Sequence, residues 1–149
     1  MFGVDAEIVH LAALLHDYAS VKNEAYYENH HVHSPILAEK ILQGLGVSQA
    51  KINAVKKAIT GHRGSVGMKD RTPEAACLAS ADALTHIENV PALLHLAYQE
   101  HDMGIDEGAV WIRSKLQRNW AKMHPEVQAL SLENYLAAQR VPFNGTHLK

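Results

Sequence analysis

Apolar residues recur at intervals of three and four along nearly the whole chain, and no stretch alternates apolar and polar positions long enough to mark a half-buried strand. The pattern predicts an all-α fold. Ile8, Leu11, Ala12 and Leu15 form one face of a first helix that carries His16 at its C-terminal end. Ser34 as N-cap and Pro35 at the first helical position open a second, with Ala38, Ile41, Leu42 and Leu45 on its face and Gly44 and Gly46 at its end. A third follows Ser48, with Val55, Ala58 and Ile59 on one side and His62 on that same side just before Gly64. Thr72 and Pro73 start a fourth, on which Ala75, Leu78, Ala79 and Asp82 share a face and which ends near Pro91. A short apolar piece around Leu93, Leu94 and Ala97 leads to a polar turn near Asp102. Ile105, Ala109, Ile112, Leu116, Trp120 and Met123 then make a long stripe, a core or oligomer contact, which His124-Pro125 stops. A last helix runs from about Glu126 to Gln139. The expected organisation is one helical domain over residues 1–140, a bundle of about six to seven helices, with a C-terminal tail at 141–149.

Composition narrows the function classes. At 149 residues, 47% hydrophobic and 20% charged, the chain can bury one core of its own. A net charge of -2 gives no basic field of the kind that draws nucleic acid, so small anionic substrates are the easier partners. The single cysteine, Cys77, makes no intrachain disulfide, and within the fourth helix it is not expected to be reactive. No apolar run approaches a membrane span, and the first residues lack the regions of a signal peptide, so a cytoplasmic location is expected.

The chemistry-bearing residues are His16-Asp17, His62 and Asp82. With 11 histidines a chance His-Asp pair is unremarkable, and a second one, His101-Asp102, lies in a polar stretch. Context separates them, because His16-Asp17 closes an apolar helix. Adjacent helical residues point about 100° apart, so both reach one ion only at a helix end. Asp82 sits on a buried stripe, where a carboxylate requires a cation, hydrogen bonds or a basic partner. Imidazole and carboxylate together suit divalent metals and leave positions open for water and substrate.

The runs Leu11-Ala-Ala-Leu-Leu-His-Asp17, His30-His31-Val32-His33-Ser34-Pro35, Ala58-Ile59-Thr60-Gly61-His62 and Glu74 to Leu84 together resemble the HD-domain superfamily of metal-dependent phosphohydrolases, in order from about Val4 to Val90. The nearest subgroup is the small bacterial predicted HD hydrolases. The resemblance implies an HD-type helical bundle that binds a divalent metal, Mn, Fe, Zn, Ni or Mg. His16, Asp17 and Asp82 would be ligands, and His62 with a His at the start of the Ser34 helix would complete a second site in two-metal members. Among His30, His31 and His33, His31 is favoured for that place. Catalysis would rest on Asp17 and His62, by metal-assisted hydrolysis of a phosphoester of a small metabolite, with nucleotides the leading class. Arg63, Lys69 and Arg71, in the loop after His62, are placed to meet substrate phosphate.

Two departures qualify the match. Family members carry a further His on a preceding helix, whereas this chain begins 15 residues before His16, and His10, on the same helix as His16, lies off its face. Either the start is clipped, or the site is partly vacated with weakened metal binding, or an oligomeric partner supplies the missing group, and bared apolar surface favours a homodimer. The Gly-Tyr-Pro element of cyclic-dinucleotide phosphodiesterases is also missing. Two other readings stand beside hydrolysis: a degenerate, non-catalytic HD module that binds a ligand or partner, and di-iron oxygenase chemistry on the same scaffold. His86, His95, His101, His124 and His147 are expected at the surface or in packing.

Overall fold

In the computed structural model, which describes residues 3–27 and 29–143, Asp5 opens the first helix, α1 (Ala6–Leu15). The Glu7 and Ile8 N–H groups donate to its Oδ1 at 2.9 and 3.3 Å, satisfying two of the donors that a helix start leaves unpaired. Every regular element among the described residues is helical: α2 (Tyr18–Lys22), α3 (His30–Gly44), α4 (Gln49–Gly61), α5 (Pro73–Glu88), α6 (Val90–His95), α7 (Ile105–Lys122) and α8 (Pro125–Arg140) follow, with short 3-10 and π turns between some of them. The expected all-α architecture is what forms. The chain divides into two units, Met1–Ala79 and Ser80–Lys149.

In the first unit, α1, α3 and α4 pack around Ala12, Ala38, Leu42, Ile52, Val55, Ala58, Ile59 and Leu78. Alanines at the closest approaches leave room for the larger residues to interdigitate. Burying Leu42, Ile52 or Ile59 stabilises by roughly 2 kcal/mol each. The solvent-screened pairs Lys51–Glu7 and Lys56–Glu39 add little beside that burial. Packing therefore decides this arrangement.

The second predicted helix starts five residues earlier than its sequence suggests. Ser34 is not its cap: it lies inside α3, buried, and its Oγ accepts the Ala19 N–H of α2 at 3.1 Å. Its hydroxyl serves a tertiary bond, and backbone bonds from Val32 and His33 to the Asn29 carbonyl build the first turn instead. Pro35, in the second turn of α3, forgoes the helical hydrogen bond that an N–H there would donate. The other end follows expectation. Gly46 takes φ +74° while its N–H and that of Val47 donate to the Gln43 and Leu42 carbonyls, a left-handed termination that favours glycine.

In the second unit, Ala83, Ile87, Val90, Leu93, Ala97, Ile112, Leu116, Met123 and Ala138 form the core, with Trp120 stacked on Tyr135 at 4.2 Å. Trp120 and Met123 thus belong to packing. The predicted fourth helix stops at Glu88, and Pro91 opens α6 rather than closing α5. Ile105 leaves the expected stripe: it is 82% exposed, at the first position of α7, one turn before the packed face begins at Gly108. The residues expected as a tail begin with a 3-10 turn, Val141–Phe143, against α7 and α8; 144–149 lie outside the described residues. Among the described residues, no helix is long and apolar enough to cross a membrane.

Gly61, at the end of α4, faces α5 so closely that a Cβ there would lie 2.8 Å from the Ala75 Cβ. Helix propensity alone favours Gly61→Ala by about 1 kcal/mol, but neither methyl can rotate away. Gly61→Ala should therefore destabilise by about 1–3 kcal/mol in urea unfolding. A stabilised variant would contradict this packing.

Candidate metal centre

The chain turns between α1 and α2, and His16 and Asp17 occupy that junction. Breaking the helix there lets two adjacent side chains meet: His16 Nε2 lies 3.3 Å from Asp17 Oδ2. His62, 4% exposed, caps α4. Its ring meets that of His16 edge to face, with centroids 5.1 Å apart. One ligand atom from each of His16, Asp17 and His62 lies within 4.8 Å of the others. Such a set can hold a divalent cation.

The tautomers favour that use. His16 Nδ1 is 2.8 Å from the Ala13 carbonyl and His62 Nδ1 is 2.5 Å from the Ile59 carbonyl. A carbonyl only accepts, so each Nδ1 carries the proton and donates. In the neutral ring, Nε2 is then the nitrogen with a lone pair for a metal, oriented by the backbone three residues earlier. A neutral Nε2 facing a carboxylate oxygen sets two acceptors against each other, and a proton or a cation between them relieves the conflict. Burial pushes the Asp17 carboxyl up, but the hydrogen bond and charge of His16, with the charges of His30 and His62, outweigh it and hold Asp17 at about 2. Asp17 is therefore an anion throughout the neutral range.

The three histidines at the start of α3 have separate fates. His30 repeats the anchoring of His16, donating from Nδ1 to the Tyr27 carbonyl at 2.7 Å, and its Nε2 reaches Asp17 Oδ1 at 3.3 Å. His31, the one favoured from sequence, sets its ring edge to face on His30 at 5.8 Å, and its buried Nδ1 has no hydrogen-bond partner among the described residues. Desolvation lowers its pKa, and the charges of Arg63, His30 and His33 lower it further. His33 stacks on Tyr26 at 4.1 Å. The spacing of the three gave no way to choose, because the helix start that decides it lies four residues before the predicted cap.

The loop cations divide similarly. Arg71 donates from Nε to the Gly61 carbonyl at 3.0 Å and from Nη2 to the Arg63 carbonyl at 2.6 Å, so its guanidinium holds the loop to the end of α4. Arg63 follows His62 directly and is close enough to His31 for its charge to be felt there. Lys69 is exposed on the 3-10 turn Met68–Asp70. Asn53, Lys56, Lys57 and Thr60, at helical spacing on α4, face Asp70 and Thr72 across a groove of about 580 Å³. Gly61 also lines it, one residue before His62.

Asp82 belongs to the second unit. Its carboxylate pairs with Lys122, and its other oxygen lies 3.5 Å from His86 Nδ1. The partner that its buried position demanded includes a lysine forty residues away. Of the other histidines, His95 pairs with Glu100 and His101 sets its ring against Trp111. His124 caps α8, and His147 lies outside the described residues. Burial, with Glu74 beside it, raises the Cys77 thiol pKa.

A helix-junction His-Asp pair joined by a histidine from a later helix is a donor set that could hold a metal ion. Residues 1–87, more than half of the chain, match the HD domain, and the chain belongs to that family, a superfamily of metal-dependent hydrolases. No curated protein and no solved structure matches it.

Removing the Arg71 fork should loosen the loop that follows His62. Arg71→Ala is expected to speed amide exchange over residues 63–70 and to destabilise by about 1–3 kcal/mol, the worth of hydrogen bonds from a charged donor. Unchanged exchange there would show that the loop does not depend on Arg71.

Proposed function

We propose that this protein is a metal-dependent phosphohydrolase acting on a small phosphorylated metabolite, with nucleotides the leading substrate class. The observation that carries the reading is the convergence of His16, Asp17 and His62, with each Nδ1 committed to a backbone carbonyl. Two imidazoles and a carboxylate suit manganese, iron, zinc or nickel better than magnesium. The chemistry that such a cation supplies when bound is polarisation of a phosphoryl oxygen and acidification of water.

The chain's own residues do the rest. His16 and His62 present fixed Nε2 atoms, and the Asp17 anion offsets the cation's charge. His30, on the far oxygen of Asp17, orients that carboxylate. Arg63, beside His62, pairs with phosphate oxygens, and Lys69 adds positive charge at the loop surface. Arg71 acts through the loop it holds. The groove along α4 has the volume of a small-molecule site and takes the organic part of the substrate, with Lys57 and Thr60 as polar contacts.

Manganese titration of metal-free protein is the deciding experiment. At about a hundred times its dissociation constant, manganese should stabilise the fold by about 2.7 kcal/mol. His16→Ala or His62→Ala should abolish that gain. The loaded protein should release phosphate from a nucleotide panel, and Arg63→Ala should raise KM about tenfold, the loss of one charged contact. Manganese binding without turnover of any phosphoester would leave a binding module in place of an enzyme.

A further inference from the structure

We infer that the groove along α4 reads the edge of a nucleobase, with Asp70 accepting the two adjacent N–H donors of guanine and Lys57 donating to the carbonyl beside them. The inference rests on the proposed reading of this groove as the place of the substrate's organic part, and it names the base and the residues that select it.

The polar groups of the groove are complementary in kind, and several are unspent. Among the described residues, no hydrogen bond or ion pair engages the Lys57, Thr60 or Asp70 side chains. The neighbouring Lys56 donates to Glu39 at 2.6 Å, which leaves Lys57 as the cation of this wall. Asn53 accepts from the Gln49 amide at 3.0 Å through Oδ1, so its Nδ2 remains as a donor. Facing them, Asp70 is held from both sides. Its N–H donates to the Gly67 carbonyl at 3.0 Å, and the next residue, Arg71, donates to the Gly61 and Arg63 carbonyls at the end of α4. Gly67 gives the carboxylate its room, since a Cβ there would lie 2.8 Å from Asp70 Oδ2. The turn thus sets an acceptor opposite donors carried on one helix face.

An ionised carboxylate accepts hydrogen bonds and donates none, so its partner must present N–H or O–H groups. Two such groups side by side take both oxygens at once, the bidentate geometry that an arginine fork uses. Guanine has this edge: its N1–H and 2-amino group are adjacent, and the 6-carbonyl next to them accepts from an ammonium or an amide. Adenine and cytosine carry an unprotonated ring nitrogen beside the amino group, and that lone pair would face the carboxylate. Hypoxanthine keeps N1–H and the carbonyl but lacks the second donor. Val66 and Gly61, which has no side chain, line the groove as surface for the flat face of a base, and a volume of about 580 Å³ accommodates the base with its sugar.

The test is calorimetric titration of the metal-free full chain with guanosine, inosine and adenosine, in which neither phosphate nor metal takes part. Guanosine should bind about tenfold more tightly than adenosine, with inosine between them, the discrimination expected of hydrogen bonds to a charged group. Asp70→Asn, which turns one acceptor into a donor on an exposed residue, should weaken guanosine about tenfold and leave adenosine within about twofold. Gly67→Ala keeps every polar group of the groove and, at φ -60°, suits any side chain's backbone. It should displace the Asp70 carboxylate and weaken guanosine without lowering the unfolding midpoint. Equal affinities for the nucleosides, no binding of guanosine, or an unchanged guanosine affinity in Asp70→Asn would overturn the inference. Guanosine binding that needs Asp70, in a protein that releases phosphate from no nucleotide, would reject the proposed function and keep the inference. Phosphate release with the same KM for guanine and adenine nucleotides would do the reverse.

Discussion

A carboxylate set among imidazoles is the constraint on which the first unit is organised. Asp17 has His16 on one oxygen and His30 on the other, and the charges that hold it at about 2 include His62. Bringing these groups together requires the end of one helix, the start of another and the end of a third at one place. The fold achieves it with three chain breaks: the junction after Leu15, the turn before His30 and the end of α4 at Gly61. Each imidazole then uses the same local device, an Nδ1–H donated to the carbonyl three residues back. The histidine is placed by its own helix end, and that backbone bond orients its ring.

That device explains what could be read from the sequence. His16 and His62 each stand at the end of an apolar helical face, and hydrophobic periodicity locates both the helix and its end. Asp17 followed from its neighbour. The face of α4 was legible for the same reason, since Ile52, Val55 and Ile59 repeat at helical spacing and are all buried. His30 was not legible. Its position depends on α3 starting at His30, and the local signals of Ser34 and Pro35 point to a start five residues later. Ser34 looks like a cap because capping is the commonest use of such a hydroxyl, but here it accepts from Ala19, fifteen residues away. A long-range bond of that kind leaves no periodic trace.

Asp82 illustrates the same limit in the second unit. The sequence placed a carboxylate on a buried stripe and required a partner for it, and that much holds. The identity of the partner turns on Lys122, which by itself looks like an ordinary basic residue in the last turn of an amphipathic helix. Its significance comes from the sharp stop at His124-Pro125 and the tie from His124 to Ser80. Ile105 fails in the opposite direction, being apolar and in register yet exposed, because a stripe predicts a face and not where packing begins.

The loop after His62 gives different surroundings to three cations that look equivalent in sequence. Arg71 spends its fork on two backbone carbonyls, and a guanidinium so engaged has little left for a substrate. Arg63, whose own carbonyl Arg71 holds, gains a fixed backbone from which to present its side chain beside His62. The two arginines are thus a support and the group it supports, and a charge at either position has different consequences. In the proposed function, replacing Arg63 would remove a substrate contact, whereas replacing Arg71 would remove the loop geometry behind it. In the proposed function, an arginine held in place would recognise a phosphate by shape as well as charge. A free lysine such as Lys69 supplies attraction without that selectivity.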